Sequence, residues 1–397
     1  MTLSGTDISN SQYDIYQRST YIQKLIRFYN SHKPLRIAFL DIDFTLSSNY
    51  LILPSLKEKL YSMGFVIAFV TSRTEEMVMS LEEYTLSHKY GFNRPRPMMH
   101  MENKKYSYVD PRIVNPYLVD PDMIIGSTGT QILLRQSTGG FAPDLSFDEK
   151  FKGGILWKRN MLRRIQHLEK EGLLFSVSMM EDMRNYYQKK TNVFPPTYRI
   201  QVAFATEKDK FIFCDRLKKR NIFGSLLFRN SRPEFRIIDD SNISIGRHVI
   251  FITPRGSGKK LAVRYTVNKT VQALRKFADK EIKQFDIETL LAGDGMQDLP
   301  MLFDGAEETD SISILVGGSK IAQELSEISP DSFSGEVIKN IHERLRPITP
   351  RGYYLYPYHM KEEKKIVYKK FIIGSDAFPT THGPETILAY LNLEELQ

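Results

Sequence analysis

Short apolar runs that stop at polar residues recur along the chain. The runs LRIAFL (35–40), VIAFV (66–70) and TLLAG (289–293) are almost continuously apolar. This pattern is typical of strands that are covered on both faces. Stretches with helical character lie between the strands, for example at 75–88 and 261–277. The alternation predicts an α/β fold with a doubly wound parallel sheet and helices on both of its faces.

The first of these strands ends in two carboxylates, Asp41 and Asp43, one residue apart. Like charges this close disfavour joint ionisation, so the pair needs a bound cation or one acid that stays protonated. The turn-forming residues Ser47, Ser48 and Asn49 predict that the strand opens into a loop. Ligands of open α/β sheets bind at this carboxyl edge. Taken alone, the pair is explained equally well without a bound cation, by one Asp that caps the loop and a second that is exposed to solvent.

Three further stretches place polar groups at strand ends or turns. The second apolar run is followed by Thr71 and Ser72, and a Gly/Ser-rich turn carries Lys259. The third run leads into Asp294, with Asp298 four residues later. The chain therefore supplies a carboxylate pair, a hydroxyl, a lysine and a second carboxylate pair, in that order.

These motifs resemble the four motifs of the haloacid-dehalogenase-like hydrolase superfamily. DIDFT is similar to the D-x-D-x-T motif, VTSR to the Ser/Thr motif, Lys259 to the motif lysine, and GDGMQD to G-D-x-x-x-D. The stretches PDMIIGSTGTQI and HVIFITPRGSGKKLAV are most similar to the sucrose-phosphatase-like (type IIB, C2-capped) group. Members of that group have a Rossmann-like core, with an α/β cap inserted between the second and third motifs.

The resemblance implies Mg²⁺-dependent hydrolysis of a small phosphorylated sugar, with sucrose phosphate first and mannosyl-phosphoglycerate-type substrates next. Asp41 would attack phosphorus to form an aspartyl-phosphate, and Asp43 would act as general acid and then as general base. Thr71, Ser72 and Lys259 would bind phosphoryl oxygens. The implied Mg²⁺ ligands are Asp41, the backbone carbonyl of Asp43, Asp294 and, as a further ligand or an outer orienting group, Asp298.

The sequence departs from the family pattern at Phe44, Met296 and Gln297, where smaller residues or Asn are commoner. All the charged and nucleophilic positions are present, which favours an active enzyme over a non-catalytic binding module of the same fold. A phosphomutase or phosphotransferase also remains open. It would use the same Asp41 and differ only in whether water or an alcohol accepts the phosphoryl group.

The organisation expected from the motifs is an N-terminal helical extension (1–34), a core (35–130 and 251–397) and an inserted cap (131–250). Within the cap, helices at 157–171 and 207–220 and short strands, including one at 225–229, predict a small α/β layer. The connections 89–121 and 347–369 are longer than such links require.

Basic residues are concentrated in the expected cap. Residues 131–250 hold 22 lysines and arginines against 13 aspartates and glutamates, while the whole chain has a formal net charge of +8. A positive cap would attract an anionic substrate, although solvated helix faces explain the same charge equally well. The candidates for contacting the sugar or a second anion are Arg199, Arg229 and Arg232.

Several classes of partner are not expected. No signature of nucleic-acid recognition accompanies the pI of about 9.2. No apolar run approaches the roughly 20 residues needed to span a bilayer, and the amino-terminal stretch has no hydrophobic signal region. The sequence therefore predicts a cytoplasmic protein with no membrane partner. Its single cysteine, Cys214, excludes an internal disulfide.

Overall fold

The computed structural model describes residues 15–46, 52–73, 99–102, 105–108, 121–138, 140–148, 154–173, 175–177, 199–227, 235–239, 248–276, 282–283, 286–305, 309–316, 321–322, 325, 336–348, 352–360, 365–374 and 383–395. The strands are β1 (Leu35–Leu40), β2 (Phe65–Val70), β3 (Met99–Glu102), β4 (Lys105–Tyr108), β5 (Met123–Gly126), β6 (Gln131–Arg135), β7 (Phe141–Pro143), β8 (Ser176–Val177), β9 (Ile200–Phe204), β10 (Phe235–Asp239), β11 (His248–Pro254), β12 (Ile287–Gly293), β13 (Asp310–Leu315), β14 (Arg346–Ile348), β15 (Tyr353–Met360) and β16 (Lys365–Ile373). The helices are α1 (Thr20–Asn30), α2 (Leu53–Ser62), α3 (Leu145–Asp148), α4 (Gly154–Lys170), α5 (Glu207–Leu227), α6 (Lys259–Leu274), α7 (Leu299–Asp304), α8 (Glu336–Arg344) and α9 (Gly383–Glu395).

Ten strands form the main sheet, in the order β14-β15-β16-β13-β12-β1-β2-β5-β6-β7. The central strands from β16 to β5 run parallel, as the sequence predicts. Antiparallel strands extend the sheet at both edges, so the complete sheet is mixed. From β1 the chain winds outward to β2 and β5, whereas from β12 it winds the opposite way to β13 and β16. The carboxyl ends of β1 and β12 therefore meet at the switch point, where open α/β sheets bind ligands.

Each face of the sheet packs against helices, which explains the continuous apolar runs. Ile37 and Phe39 of β1 belong to one hydrophobic core, together with residues of α1, α6, α7 and α8. Their neighbours Ala38 and Leu40 point to the opposite face and pack in a second core with α2 and α9. Since successive strand residues face opposite sides, a strand covered on both sides needs apolar residues at every position.

The N-terminal helix α1 belongs to the packing of the core. Ser19 caps it by accepting a hydrogen bond from the backbone N–H of Ile22, and Ile22 is fully buried. The Tyr21 hydroxyl hydrogen-bonds to Thr270 of α6. Lys24 forms an ion pair with the buried Asp122, at 2.7 Å. This extension is therefore attached to the core through both apolar and polar contacts.

A second, antiparallel sheet in the order β10-β11-β9-β8 lies within the inserted region. Helices α4 and α5 contribute Ile165, Leu168, Phe213 and Leu217 to the hydrophobic cluster on this sheet. The expected small α/β layer is thus present. The strand expected at 225–229 is wrong, because α5 continues to Leu227. A short apolar run fits the period of a helix as well as that of a strand, and here Leu226 and Leu227 lie in the helix.

The expected cap boundaries differ from the boundaries of the two sheets. Strands β6 and β7, which were expected in the cap, belong to the main sheet, because β6 folds back antiparallel to β5. At the other end, β11 crosses the expected boundary after 250 and belongs entirely to the second sheet. The second sheet therefore starts with β8 and ends with β11.

The two long connections contain strands of their own. Within 347–369, β15 and most of β16 form an antiparallel hairpin that extends one edge of the main sheet. In the described part of 89–121, β3 and β4 pair as a separate two-stranded sheet. Among the residues that the structure describes, no helix has the length and apolar character needed to cross a membrane.

Candidate active site

The nucleophile candidate follows directly from the central strand. The Asp41 backbone N–H donates to the Ala292 carbonyl at 3.0 Å, which continues the pairing of β1 with β12. A π-helical turn, Ile42–Leu46, then begins. The Thr45 hydroxyl in this turn lies 3.4 Å from Asp41 Oδ2 and 3.3 Å from Asp294 Oδ1. The turn thus places the first carboxylate of one motif beside the first carboxylate of another.

The start of α9 fits closely against this turn. Gly383 is its first residue, and a Cβ atom built there would lie 2.1 Å from the Thr45 carbonyl oxygen. Only a glycine leaves room for this approach. The last described helix therefore packs directly against the turn that follows Asp41.

Lys259, the first residue of α6, joins two of the predicted motifs. Its Nζ lies 2.7 Å from Asp41 Oδ1 and 2.6 Å from Asp298 Oδ1. All three residues are 2% exposed or less. A buried ammonium is tolerated only when it is paired, and two carboxylate partners satisfy this requirement.

Both oxygens of Asp298 are occupied by protein donors. Oδ1 accepts from Lys259, and Oδ2 accepts from the backbone N–H groups of Asp294 and Gly295 at 3.3 and 3.0 Å. A Cβ atom at Gly293 would lie 2.6 Å from the Asp298 Cβ, so glycine is required immediately before Asp294. The local sequence therefore folds around Asp298 and leaves Asp294 half-buried at the strand end.

The carboxylates of Asp41, Asp294 and Asp298 each place one oxygen within 4.8 Å of the others. Burial, and then the charge of Asp298, raise the pKa of Asp41 to about 8 against the opposing effect of Lys259. Burial, and then Asp41, raise the pKa of Asp294 well above its ordinary value. Burial alone would lower the pKa of Lys259, but Asp298 and Asp41 outweigh burial and raise it.

This donor set fits a hard divalent cation. Three carboxylates lie around one lysine, and burial, followed by the charge of Asp298, raises the pKa of Asp41. Mg²⁺ prefers oxygen ligands and few carboxylates. Because the protein already occupies both oxygens of Asp298, Asp41 Oδ2 and the Asp294 carboxylate are the oxygens best placed to bind the ion.

Asp43 has a partner that the sequence did not reveal. Nε of Arg73 lies 3.0 and 3.1 Å from the two carboxylate oxygens of Asp43, and Nη2 lies 2.5 Å from Oδ1. The Arg73 backbone N–H donates to the Thr71 hydroxyl at 3.1 Å. Ser72 is buried between these two residues. The only feature of the sequence that could have identified Arg73 as a site residue is its position in the VTSR motif, two residues after Thr71.

The structure therefore brings Asp41, Lys259, Asp294 and Asp298 into direct contact or close proximity, and it links Asp43 to the Thr71 loop through Arg73. Arg199, immediately before β9, is buried, and its guanidinium lies 4.6 Å from the centre of the Phe251 ring. The other two arginine candidates, Arg229 and Arg232, lie outside the described residues, as does the side chain of Phe44.

Comparisons with solved structures found matches of low sequence identity that cover most of this chain. The chain is similar to a sucrose-phosphatase from Synechocystis sp. PCC6803, solved with sucrose and phosphate. The identity is 15% and the TM-score 0.40, over 72% of this chain and 84% of that one. It is also similar to the subclass IIB sugar phosphatase BT4131, with 13% identity and a TM-score of 0.35, over 72% and 88% of the two chains.

An IMP-nucleotidase from Plasmodium falciparum matches at 12% identity and a TM-score of 0.39, over 77% of this chain and 68% of that one. No protein-family model matches the sequence, and no curated protein matches it either. The α/β fold class follows from the strand order, and the description of the site follows from its own contacts.

Proposed function

We propose that this protein is a Mg²⁺-dependent phosphatase of the capped haloacid-dehalogenase-like type, which hydrolyses the phosphate monoester of a small carbohydrate. One observation carries the proposal. At the switch point of the sheet, Lys259 contacts both Asp41 and Asp298, with Asp294 beside them. A structural ion pair needs one carboxylate, whereas a buried cluster of three calls for further positive charge from a cation.

In the first step, an oxygen of the Asp41 carboxylate attacks phosphorus and the bond from phosphorus to the sugar oxygen breaks. Asp43 donates a proton to the departing oxygen, so the sugar leaves as a neutral alcohol. In the second step, Asp43 takes a proton from water, and the water oxygen attacks phosphorus. The bond from phosphorus to Asp41 then breaks and inorganic phosphate is released.

The surrounding groups orient the reactants and balance their charge. Lys259 fixes Asp41 through Oδ1 and offsets negative charge on the phosphoryl oxygens. Thr71 and Ser72 would donate hydrogen bonds to those oxygens. Asp41, the Asp43 carbonyl and Asp294 would hold Mg²⁺, with Asp298 orienting Lys259 and the loop after β12. When bound, Mg²⁺ would offset the charge of the carboxylates and of the phosphate.

Arg73 would position the acid and base. Its guanidinium engages both oxygens of Asp43, so this carboxylate must turn partly away to donate a proton to the leaving oxygen. The Asp43 side chain is 32% exposed, which gives the leaving alcohol and the attacking water access to it. The bidentate contact would restore the same orientation after each step.

The proposed substrate class rests on the sequence motifs. A sugar phosphate is favoured by the motif resemblance. The similar Synechocystis sucrose-phosphatase is solved with sucrose and phosphate, and BT4131 is a sugar phosphatase. The second sheet, with the buried Arg199 beside Phe251, would contribute to substrate selection. A nucleoside monophosphate is the alternative substrate to test, because the similar Plasmodium protein is an IMP-nucleotidase.

The test is phosphate release from sucrose phosphate, other sugar phosphates, phosphoglycerate derivatives and IMP, with Mg²⁺ and with chelator. We expect turnover that requires Mg²⁺ and falls at least about a thousandfold in Asp41→Asn. The matched control is Asp122→Asn. This residue is also a buried aspartate paired to a lysine at 2.7 Å. It lies at the amino end of β5, whereas Asp41 lies at the carboxyl end of β1.

Loss of activity in Asp41→Asn but not in Asp122→Asn would support the nucleophile assignment. Equal losses in both variants would mean that a buried ion pair, and not the nucleophile, was being measured. The competing phosphotransferase is distinguished by its products. A second phosphoester in place of free phosphate would show that an alcohol accepts the phosphoryl group from Asp41.

A further inference from the structure

The turn between β5 and β6, residues 127–130, contacts both loops to which the proposed function assigns phosphate binding. We name it the bridging turn. Ser127 donates its backbone N–H to the Arg73 carbonyl at 2.6 Å, and Thr128 donates to the Thr71 carbonyl at 3.1 Å. On the other side, the Gly129 carbonyl accepts from the Gly258 N–H at 3.4 Å. Three consecutive residues thus connect the Thr71 loop to the residue before Lys259.

The backbone of the bridging turn is strained. Ser127 has φ of 51° and Thr128 has φ of 60°, and both residues are buried. Left-handed backbone is unfavourable for residues that carry a Cβ atom, and more so for a β-branched residue such as Thr128. Two consecutive residues in this conformation persist only where the surrounding structure imposes it, and such strain clusters at functional sites.

The contact with the Lys259 loop leaves no room for a side chain. A Cβ atom at Gly129 would lie 2.3 Å from the Gly258 carbonyl carbon and 2.6 Å from the Lys259 backbone nitrogen. On its other side, Gly258 faces the Arg236 guanidinium, which donates to the Ser257 carbonyl at 3.2 Å. The peptide that starts α6 is therefore held between the bridging turn and a strand of the second sheet.

We propose that the bridging turn is a positioning element that sets the separation between Thr71 and Lys259. The proposal rests on the proposed function, because it assumes that these two residues bind the same phosphoryl group. The turn acts through its backbone contacts and does not itself touch the substrate. Because Lys259 contacts both carboxylates at 2.6–2.7 Å, a small displacement of the start of α6 disrupts those contacts.

The sharpest test compares Gly129→Ala with Gly140→Ala. The two glycines have nearly the same φ, 76° and 74°, so a Cβ atom adds similar backbone strain at each. At Gly140 nothing lies within 4 Å of that Cβ atom, whereas at Gly129 it meets the Lys259 loop. We expect Gly129→Ala to lower kcat at least tenfold and to weaken inhibition by vanadate at least tenfold, with Gly140→Ala changing neither.

A second pair of variants covers the case in which Gly129→Ala does not fold. Thr128→Gly removes the strain and the Cβ atom without adding bulk, and His32→Gly relieves a similar φ of 56° at the end of α1. We expect Thr128→Gly to fold with an unchanged or higher midpoint of thermal unfolding and to lower kcat more than threefold. His32→Gly should leave kcat unchanged.

The failures of the two proposals are distinguishable. If the wild type is active but Gly129→Ala and Thr128→Gly keep its kcat and vanadate inhibition, the bridging turn has no positioning role. If the wild type and Gly140→Ala neither release phosphate from any substrate nor bind vanadate, the proposed function fails and this inference fails with it. A loss confined to thermal stability in Gly129→Ala would also overturn the positioning role.

Discussion

Two ion-paired groups in the candidate site differ in their access to water. Lys259, Asp41 and Asp298 are 2% exposed or less, so the proposed nucleophile, Asp41, lies in a closed arrangement. In the second group, the Arg73 side chain is 9% exposed but the Asp43 side chain is 32% exposed. In the proposed mechanism, the nucleophile must be oriented and charge-balanced before substrate arrives, whereas Asp43 must exchange protons with an alcohol and with water. The difference in burial matches this difference in task.

The largest effect is expected from Lys259→Gln, which breaks the closed group. Two carboxylates would lose their shared ammonium in a buried place, at a cost of about 3–5 kcal/mol in the free energy of unfolding. Phosphate release should fall at least about a thousandfold. Denaturant unfolding and steady-state kinetics measure both effects. Lys24→Gln is the matched control, because it breaks a pair of equal length whose lysine is one-third exposed. Similar losses of activity in the two variants would contradict the comparison.

Asp43→Asn tests the open group and should reduce sugar-phosphate turnover about 10²–10⁴-fold, the range for loss of a general acid or base. The loss should be smaller with an aryl phosphate, because a phenolate departs without a proton. The fold should remain intact, since Asn retains an oxygen for Arg73. First-turnover release of the alcohol or phenol by Asp43→Asn is the measurement, because it precedes the step in which Asp43 acts as base, and an equal loss on both ester types would exclude Asp43 as the acid.

Arg73→Gln is expected to have a smaller effect, about tenfold to a hundredfold on kcat, because it removes the orientation of Asp43 and leaves the carboxyl group itself. Since Asp43 is partly exposed, water can replace the lost contacts and the fold loses less than about 2 kcal/mol. Combined with Asp43→Asn, the substitution should add little further loss. If the losses of the two substitutions add and KM rises, the Arg73 guanidinium contacts the substrate directly.

The smallest effect concerns Mg²⁺ and pH. Because the pKa of Asp41 is raised from 3.8 to about 8, the folded metal-free protein binds a proton that the unfolded chain has released. Its stability therefore falls as pH rises from about 4 to 8. Mg²⁺ competes with that proton, so the rise in Tm on adding Mg²⁺ should be a few degrees and larger at pH 8.5 than at pH 5.5. Calorimetry with and without chelator measures it, and a pH-independent shift would argue against Asp41 as a ligand.

Sequence reasoning located residues of the candidate site best where they follow the end of a strand. The positions of Asp41 and Asp294 were predictable because each follows a short apolar run, and parallel strands bring such ends together at one edge. The contact of Lys259 with Asp298 was not predicted, although both residues were identified from their motifs. Local patterns locate residues along the chain, but they do not give the distances between loops.

The remaining features depend on packing between distant segments. Arg73 pairs with Asp43 only after β1 and β2 align, and the bridging turn reaches Gly258 only after the hairpin of β5 and β6 forms. Neither contact has a characteristic sequence pattern. The strand expected at 225–229 was wrong for a related reason, because three apolar residues fit a helix as well as a strand.

The close fit of Gly383 against the Thr45 carbonyl has a consequence for the order of folding. Thr45 is synthesised early, but the helix that packs on its turn emerges from the ribosome after nearly all the other described residues. Such long-range contacts form slowly, since a large loop must close before they stabilise the chain. During translation the turn after Asp41 therefore stays without its final support, and we expect the candidate nucleophile to become competent only after residues 383–395 have been synthesised.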